Sequence, residues 1–506
     1  MKKLISLTLA VMLFLGLFSG ATADGAYKDE VVIGYDTKTD TLDIQAVSLI
    51  GNSYIYNMTH EGLVTYDTNA NQLIYLLAES CDISEDSKEY LFHLRQGVKF
   101  HDGSDFTSDD VIFSVGRALD NATTAGAIRD IYSEIETYTA EDAYTVKFVL
   151  KNPDSDLLIK MSNQSGCGIM SRKATEGADD GYKIGTGAWK NAEFSVGDYI
   201  LLERNEQYWG EIPETKYIRF RYIPEASARL MALENEEIDV CIYPSASEYI
   251  LVEANEALQL MTYEGSLNLM YFNHETAPFD DVNFRKAIAY ATDVDSIIQA
   301  VLFGYGVKAQ GYEAGYAIGS FSDWASEGKE WYHRDLDKAK EYLAASKYAN
   351  GGGDFTISVN NSTRVLIGQL LQDQYKDLGI KVEVEQYDSA GYTKIQKEHN
   401  FQVLIAAAAQ SVAGGYFARN FRTGSTVNGN NYSNPEFDKL ITLADGEMNT
   451  DERMELYKDA QLTLLEDCPH LPLYFGIQAV AYTKKLSGVR WELNGNHKFA
   501  YAKVEQ

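Results

Sequence analysis

The chain has 506 residues, 45% of them hydrophobic and 23% charged, with a formal net charge of −30. That composition is globular and long enough for two or three domains, which excludes disorder on a large scale. The excess of negative charge disfavours nucleic acid or an anionic membrane surface as partner and supports solubility.

Lys2 and Lys3 precede an apolar run from Leu4 to Phe18, and Ala21-Thr22-Ala23 follows with small-x-small spacing. Residues 1–23 are therefore predicted to be a signal peptide, and Asp24 to be the first residue of an exported chain. The run is shorter than the roughly 20 apolar residues of a spanning helix, and no later stretch approaches that length. Cys81, Cys167, Cys241 and Cys468 lie far apart with no CxxC spacing, so neither a zinc site nor a dithiol redox pair is signalled. Export permits disulfides, and three pairings or buried free thiols are equally open.

From Glu89, the residues Tyr90, Phe92 and Leu94 alternate with His93 and Arg95, which predicts a strand. The crowded stretch "RQGVKFHDGSDFTSDD" then raises the question of an acid–base cluster. Its grammar is structural: His101-Asp102-Gly103 has turn chemistry, Thr107 with Asp110 fits a capping box, and Val111, Val115 and Ala118 continue at helical spacing. A β-α-β pattern runs from Tyr217 through Pro224 and "EASARLMALENEE" to Ile238-Asp239-Val240. A second has Phe355, Ile357 and Val359 alternating, a helix from about Thr363 with Leu366, Leu370 and Tyr375 on one stripe, a stop at Gly379, and Ile380, Val382 and Val384 alternating again. Phe401 to Ala408 is apolar on both faces, as buried parallel strands are. The predicted class is α/β. With only 8 prolines and no low-complexity tract, the domains are expected to connect through strands or short hinges.

GxSxG, HExxH, a P-loop and paired CxxC are all absent, and the eight histidines show no ligand spacing, so no catalytic residue, metal ligand or cofactor is predicted. An exported hydrolase with two carboxylates in a cleft remains the rival, because 74 acids are available to form such a pair.

Several stretches in register resemble the extracellular solute-binding proteins of peptide-type ABC transporters, the family 5 group that includes dipeptide-, oligopeptide- and nickel-binding proteins. "FHLRQGVKFHDGSDFTSDDVIFSVGRALD" is similar to the signature segment, and "HEGLVTYD", "LLAESCDISEDS", "KIGTGAWK", "LLERNEQYWGEIP", "YIPEASARLMALENEEIDV", "FNHETAPFDDVNFRKAIAYATDVDSIIQAVLFGYG", "DLDKAKEYL" and "DERMELYKDAQLTLLEDCPHLPLYF" resemble further blocks in the same order. The resemblance implies a two-lobed periplasmic-binding-protein-like fold of type II, the three-domain class C. Domain I would comprise 24–60, 184–265 and 478–506, domain II 61–183, and domain III 266–477. It also implies capture of a small solute between the lobes, a peptide or peptide-like compound first and a sugar derivative or metal chelate as alternatives. Delivery would be to permease subunits in the membrane, with a monomeric protein, no enzymatic activity and no nucleic-acid partner. Phe18-Ser19-Gly20-Ala21 has alanine where lipid-anchored relatives carry a cysteine, so a periplasmic or extracellular protein without a lipid anchor is expected.

The chain departs from the family pattern in three places. Cys81 stands where tryptophan is common, and Ala188-Trp189 where Pro-Tyr is usual. Peptide binders of this kind carry an aspartate for the peptide's α-ammonium group after the strand matching Phe401–Ala408. Here "AAAAQSVAGGYFARNF" follows, with no acid between Phe401 and Arg422 and with Gln410 or Ser411 near the aspartate's place. An unpaired buried charge costs several kcal/mol, against roughly 0.5–1.5 kcal/mol for a neutral hydrogen bond. Either another segment supplies an acid or the ligand lacks a free amine. Because ligands of α/β sheets bind beyond the carboxyl ends of strands, the candidate ligand contacts are Asn361, Gln410, Ser411, Tyr416 as a stacking ring and Arg419 for a carboxylate or phosphate. "LIGNSYIYN" resembles the cleft-side segment of domain I and adds Asn52 and Tyr54, with core packing the competing role of Tyr54.

Overall fold

The computed structural model describes residues 27–47, 49–120, 124–163, 165–351, 353–408, 415–425 and 428–506. The predicted signal peptide lies outside them, as do Gln410 and Ser411.

The opening motif resolves as punctuation. Glu89–Leu94 is a strand with Tyr90, Phe92 and Leu94 inward. Asp102 accepts the Ser104 amide at 3.0 Å, and the Thr107 amide and hydroxyl donate to Asp110 Oδ2 at 3.0 and 3.2 Å, starting the helix Ser108–Leu119. The Gly185 amide donates to His101 Nδ1 at 3.3 Å, which leaves Nε2 as the donor to the Gly187 carbonyl at 3.0 Å. Burial pulls the His101 pKa down to about 4, so a neutral ring splices this turn to the Gly185-Thr186-Gly187 segment.

The main sheet has eleven strands. Its order is Val382–Gln386, Phe355–Val359, Val403–Ala408, Leu258–Phe272, His470–Thr483, Val240–Ile242, Glu30–Tyr35, Tyr217–Tyr222, Tyr199–Arg204 and Trp189–Ser195, with Gly306–Lys308 paired onto His470–Thr483. The two central strands, of 15 and 14 residues, rise about 3.3 Å per residue and so reach roughly 45–50 Å. That is enough to traverse two packed bodies. A separate sheet, Ala78–Ile83, Glu89–Leu94, Thr145–Leu150 and Ile135–Asp142, forms a body of its own.

Three large apolar cores follow this division. One gathers Val31, Tyr54, Trp189, Phe220, Val480 and Phe499; a second gathers Tyr90, Phe92, Phe106, Val115 and Phe148; a third gathers Leu267, Phe272, Ile357, Leu371, Ile405 and Leu473. Glu61 ties the first two together, taking donors from Tyr208 Oη (2.7 Å), Trp209 Nε1 (2.8 Å) and Thr186 Oγ1 (2.9 Å). The second and third bodies also touch. Ser155 donates its amide to the Asp445 carbonyl at 2.7 Å, Tyr457 Oη donates to Asp156 Oδ2 at 2.9 Å, and Arg453 Nη2 lies 3.6 Å from Asp156 Oδ1.

One reading of the chain needs correction. In the helix Ser362–Gln374 the inward face carries Ile367, Gly368, Leu371 and Gln374, and Leu366 from the predicted stripe is 51% exposed. Gly368 sets this phase: a Cβ there would come within 3.0 Å of Val384, so the glycine faces the neighbouring strand and turns Leu366 outward. The β-α-β unit from Tyr217 to Val240 forms as read: its two strands run parallel, with the helix Ala226–Glu234 between them in the chain and Glu30–Tyr35 between them in the sheet, parallel to both. Phe355–Val359 and Val382–Gln386 do pair in parallel, whereas Val403–Ala408 is parallel to one neighbour and antiparallel to the other. All four cysteines are free thiols, three of them buried. Among the described residues no helix is long and apolar enough to cross a membrane.

Candidate solute-binding cleft

Strand direction locates the site. Ala408 lies opposite Leu267, so Val403–Ala408 runs toward the place where the two central strands pass from one core to the next. Ile242 lies opposite Val480, so Val240–Ile242, and with it Glu30–Tyr35 and Tyr217–Tyr222, runs toward the same place from the other side. The register of Leu258–Phe272 on His470–Thr483 breaks there, between Glu264 and Leu267. The carboxyl ends of the parallel strands of both bodies therefore converge on one junction, where open α/β sheets take ligands.

The first body presents a tyrosine cluster at this junction. Tyr54 Oη donates to the Gly495 carbonyl at 3.0 Å and lies 3.3 Å from Tyr243 Oη. Tyr263, also buried, meets the His497 ring edge-on at 4.8 Å. Burial pushes the Tyr54 and Tyr263 phenols well above their ordinary range, so they act as neutral donors and acceptors. Asn52 is buried beneath, accepting Thr39 Oγ1 at 2.7 Å and reaching Tyr56 Oη at 3.3 Å; it braces the helix Ile50–Thr59 from inside. Both residues picked from this segment thus have protein partners.

In the third body, Asn361 caps its helix by accepting the Arg364 amide at 2.9 Å and leaves the rest of its side chain exposed. Arg364, which the sequence reading passed over, donates to Asn360 Oδ1 at 2.6 Å and lies 6.0 Å over the Tyr392 ring. Tyr416 is buried: its amide donates to Glu313 Oε1 at 2.9 Å, its hydroxyl sits 3.1 Å from His470 Nδ1 and 3.4 Å from Tyr271 Oη, and its ring stacks on Tyr312 at 6.3 Å. Its stacking partner here is a side chain. Arg419, on the same short helix, is exposed. Glu313 was also passed over; its signal is a lone acid in the otherwise apolar loop "GYEAGYAIG". Tyr416→Phe is expected to cost about 1 kcal/mol in urea unfolding, one net hydrogen bond; an unchanged midpoint would remove its hydroxyl from the network.

The candidate residues are thus tyrosines, amides and two arginines. Among the described residues no group of three or more His, Cys, Asp or Glu is placed to hold a metal ion. A family model, "Bacterial extracellular solute-binding proteins, family 5 Middle", matches residues 72–430. The chain belongs to this family. As a family 5 chain it is 28% identical to Heme-binding protein A of Haemophilus influenzae, covering 88% of this chain and 86% of that one. It is 27% identical to the Dipeptide-binding protein of Escherichia coli, with 88% of each chain covered. The solved structure of HbpA2 from Haemophilus parasuis superposes with a TM-score of 0.85 at 22% identity, covering 94% of this chain and all of that one. The fold class predicted from the sequence is the fold of these proteins.

Proposed function

We propose that this family 5 protein is the solute-binding component of an ABC importer, that it captures a peptide or peptide-like compound between its lobes, and that it hands the solute unchanged to membrane permease subunits. The convergence of parallel-strand ends from both bodies on one junction carries this reading, because a solute bound there touches both lobes and favours whichever arrangement encloses it. Enclosure excludes water and strengthens each polar contact. Relatives named for dipeptide and, at 30% identity in Pectobacterium atrosepticum, glutathione favour the peptide class. The three domains are assigned as 24–60 with 184–265 and 478–506, then 61–183, then 266–477, in keeping with the three apolar cores. Gln410, Ser411, Tyr416, Arg419, Asn361, Asn52 and Tyr54 remain the proposed contacts, with Asn52 and Tyr54 acting through the wall they support. The protein is exported, monomeric and without enzymatic activity.

A thermal-shift screen against short peptides, N-acetylated peptides, sugars, metal chelates and hemin tests this. A ligand present at a hundred times its Kd adds about 2.7 kcal/mol of stability, so peptides should raise the melting temperature by several degrees. A response confined to sugars or hemin would overturn the peptide assignment, and turnover of any probe would overturn the binding role.

A further inference from the structure

Three acids among the described residues hold a buried carboxylate oxygen that meets no hydrogen-bond donor: Asp156 Oδ1, Glu492 Oε1 and Glu313 Oε2. The first two face arginines, with Arg453 Nη2 at 3.6 Å and Arg490 Nε at 2.6 Å respectively. Glu313 faces none. Elsewhere the chain satisfies a structural carboxylate fully, as the three donors around Glu61 demonstrate. Glu313 is 4% exposed and accepts the Tyr416 amide on Oε1, with the Phe417 amide also acting on the carboxyl, while Oε2 meets no hydrogen-bond partner among the described residues. A buried carboxylate in that condition is costly unless a donor or positive charge arrives from outside the chain.

Its position supplies the second half of the argument. Tyr416 lies in the first turn of the helix Gly415–Phe421, which follows Val403–Ala408, the strand whose end meets the junction at Leu267. Two residues beyond Glu313, the exposed Gly315 donates its amide to Glu264 Oε2 at 3.4 Å, and Glu264 stands on the central strand where its register breaks. Tyr316 is half-buried; burial pushes its phenol upward, and the charges of Glu313 and Glu264 add to the shift. The stacked rings of Tyr312 and Tyr416 lie alongside. A carboxylate beside aromatic faces is a setting for a cation. Burial raises the Glu313 carboxyl well above its ordinary range, as is expected of an acid whose counter-charge is missing.

We propose that Glu313 is the residue that selects the solute's charge: its Oε2 receives an N–H of a primary ammonium group on the bound ligand. This rests on the solute-binding reading and narrows it to amine-bearing solutes. It also places the acid on the loop Gly311–Gly319, remote in sequence from the acid-free stretch between Phe401 and Arg422.

The test uses isothermal titration of the full mature chain with alanyl-phenylalanine, glycyl-leucine and trialanine, each beside its N-acetyl counterpart. The wild-type protein is expected to bind the free-amine forms at least about 100-fold more tightly, the scale of a buried charge left unpaired. E313Q is expected to lose that preference, with free-amine affinity falling about 100-fold, N-acetyl affinity unchanged and the melting temperature not lowered. Should E313Q fail to fold, the wild-type preference decides by itself, and E313D, one methylene shorter, should weaken only the free-amine forms. Equal wild-type affinity for both forms, wild-type behaviour of E313Q, or no binding of any of the six peptides overturns the assignment. Peptide binding without amine preference sinks Glu313 and leaves the solute-binding role standing, whereas silence across the wider screen sinks both.

Discussion

Replacing Arg229 with methionine is expected to lower the unfolding free energy by about 4 kcal/mol, read from urea unfolding, because the buried Ile242 carbonyl and the partly buried bonds to Ile223, Pro224 and Tyr243 lose their only charged donor. Arg229 is 2% exposed. Its Nε donates to the Ile242 carbonyl at 2.9 Å, Nη1 to those of Ile223 and Pro224 at 2.6 and 2.8 Å, and Nη2 to that of Tyr243 at 2.7 Å. These carbonyls lie at or just beyond the ends of the strands Tyr217–Tyr222 and Val240–Ile242, so the guanidinium holds both exits in place. Tyr243 is held with φ at +55°, a left-handed backbone that a bulky residue adopts only when its surroundings enforce it. Loss of the Nη2 bond removes part of that enforcement and loosens the Tyr243–Tyr54 contact at the candidate site. Arg229→Lys should recover less than half of the loss, since one ammonium cannot reach four carbonyls arranged for a planar fork. A methionine variant within 1 kcal/mol of wild type would show that water satisfies these carbonyls instead.

The contact between the second and third bodies carries the other large effect. Arg453→Met is expected to cost about 3–5 kcal/mol, because it strands the buried Asp156 carboxylate. Arg453 and Asp156 are each under 8% exposed on their side chains, and Arg453 also donates from Nη1 to the Glu447 carbonyl at 3.0 Å. Neutralising both partners tests whether the charge or the packing is responsible. In the double variant D156N/R453M an asparagine oxygen still accepts from Tyr457 Oη, whose present bond to Asp156 is 2.9 Å, and no charge is left unpaired. At least half of the single-variant loss should return. If the double variant is as unstable as R453M, the arginine acts through shape alone. Small-angle scattering of both variants would report in addition whether the lobes separate when this contact is lost.

Much of the local structure was legible because the partners that create it are neighbours along the chain. The capping box at Thr107 and Asp110, the turn at Asp102 and the cap at Asn361 involve residues two to four apart, and alternation from Glu89 to Leu94 needs only the period of a strand. These are the reasons that "RQGVKFHDGSDFTSDD" could be read as a helix start in place of a catalytic cluster. The helix phase at Leu366 was misread because two adjacent apolar residues, Leu366 and Ile367, satisfy almost the same periodicity. The choice between them is made by Gly368 against Val384, a contact between separate elements.

Sequence alone determined the class of this protein: an acidic α/β chain with an export signal pattern, no catalytic or metal motif, and ordered blocks resembling one solute-binding family, since composition, periodicity and local hydrogen-bond chemistry are written in consecutive residues. Tertiary structure alone decided that Glu30–Tyr35 enters between two strands almost 200 positions downstream, that Arg229 braces the strand exits, and that Glu313 lies buried against Tyr416 with one oxygen unpaired. Those outcomes depend on which distant groups share a dry interior, and the energy of a buried charge or an unmet hydrogen bond is set by that company.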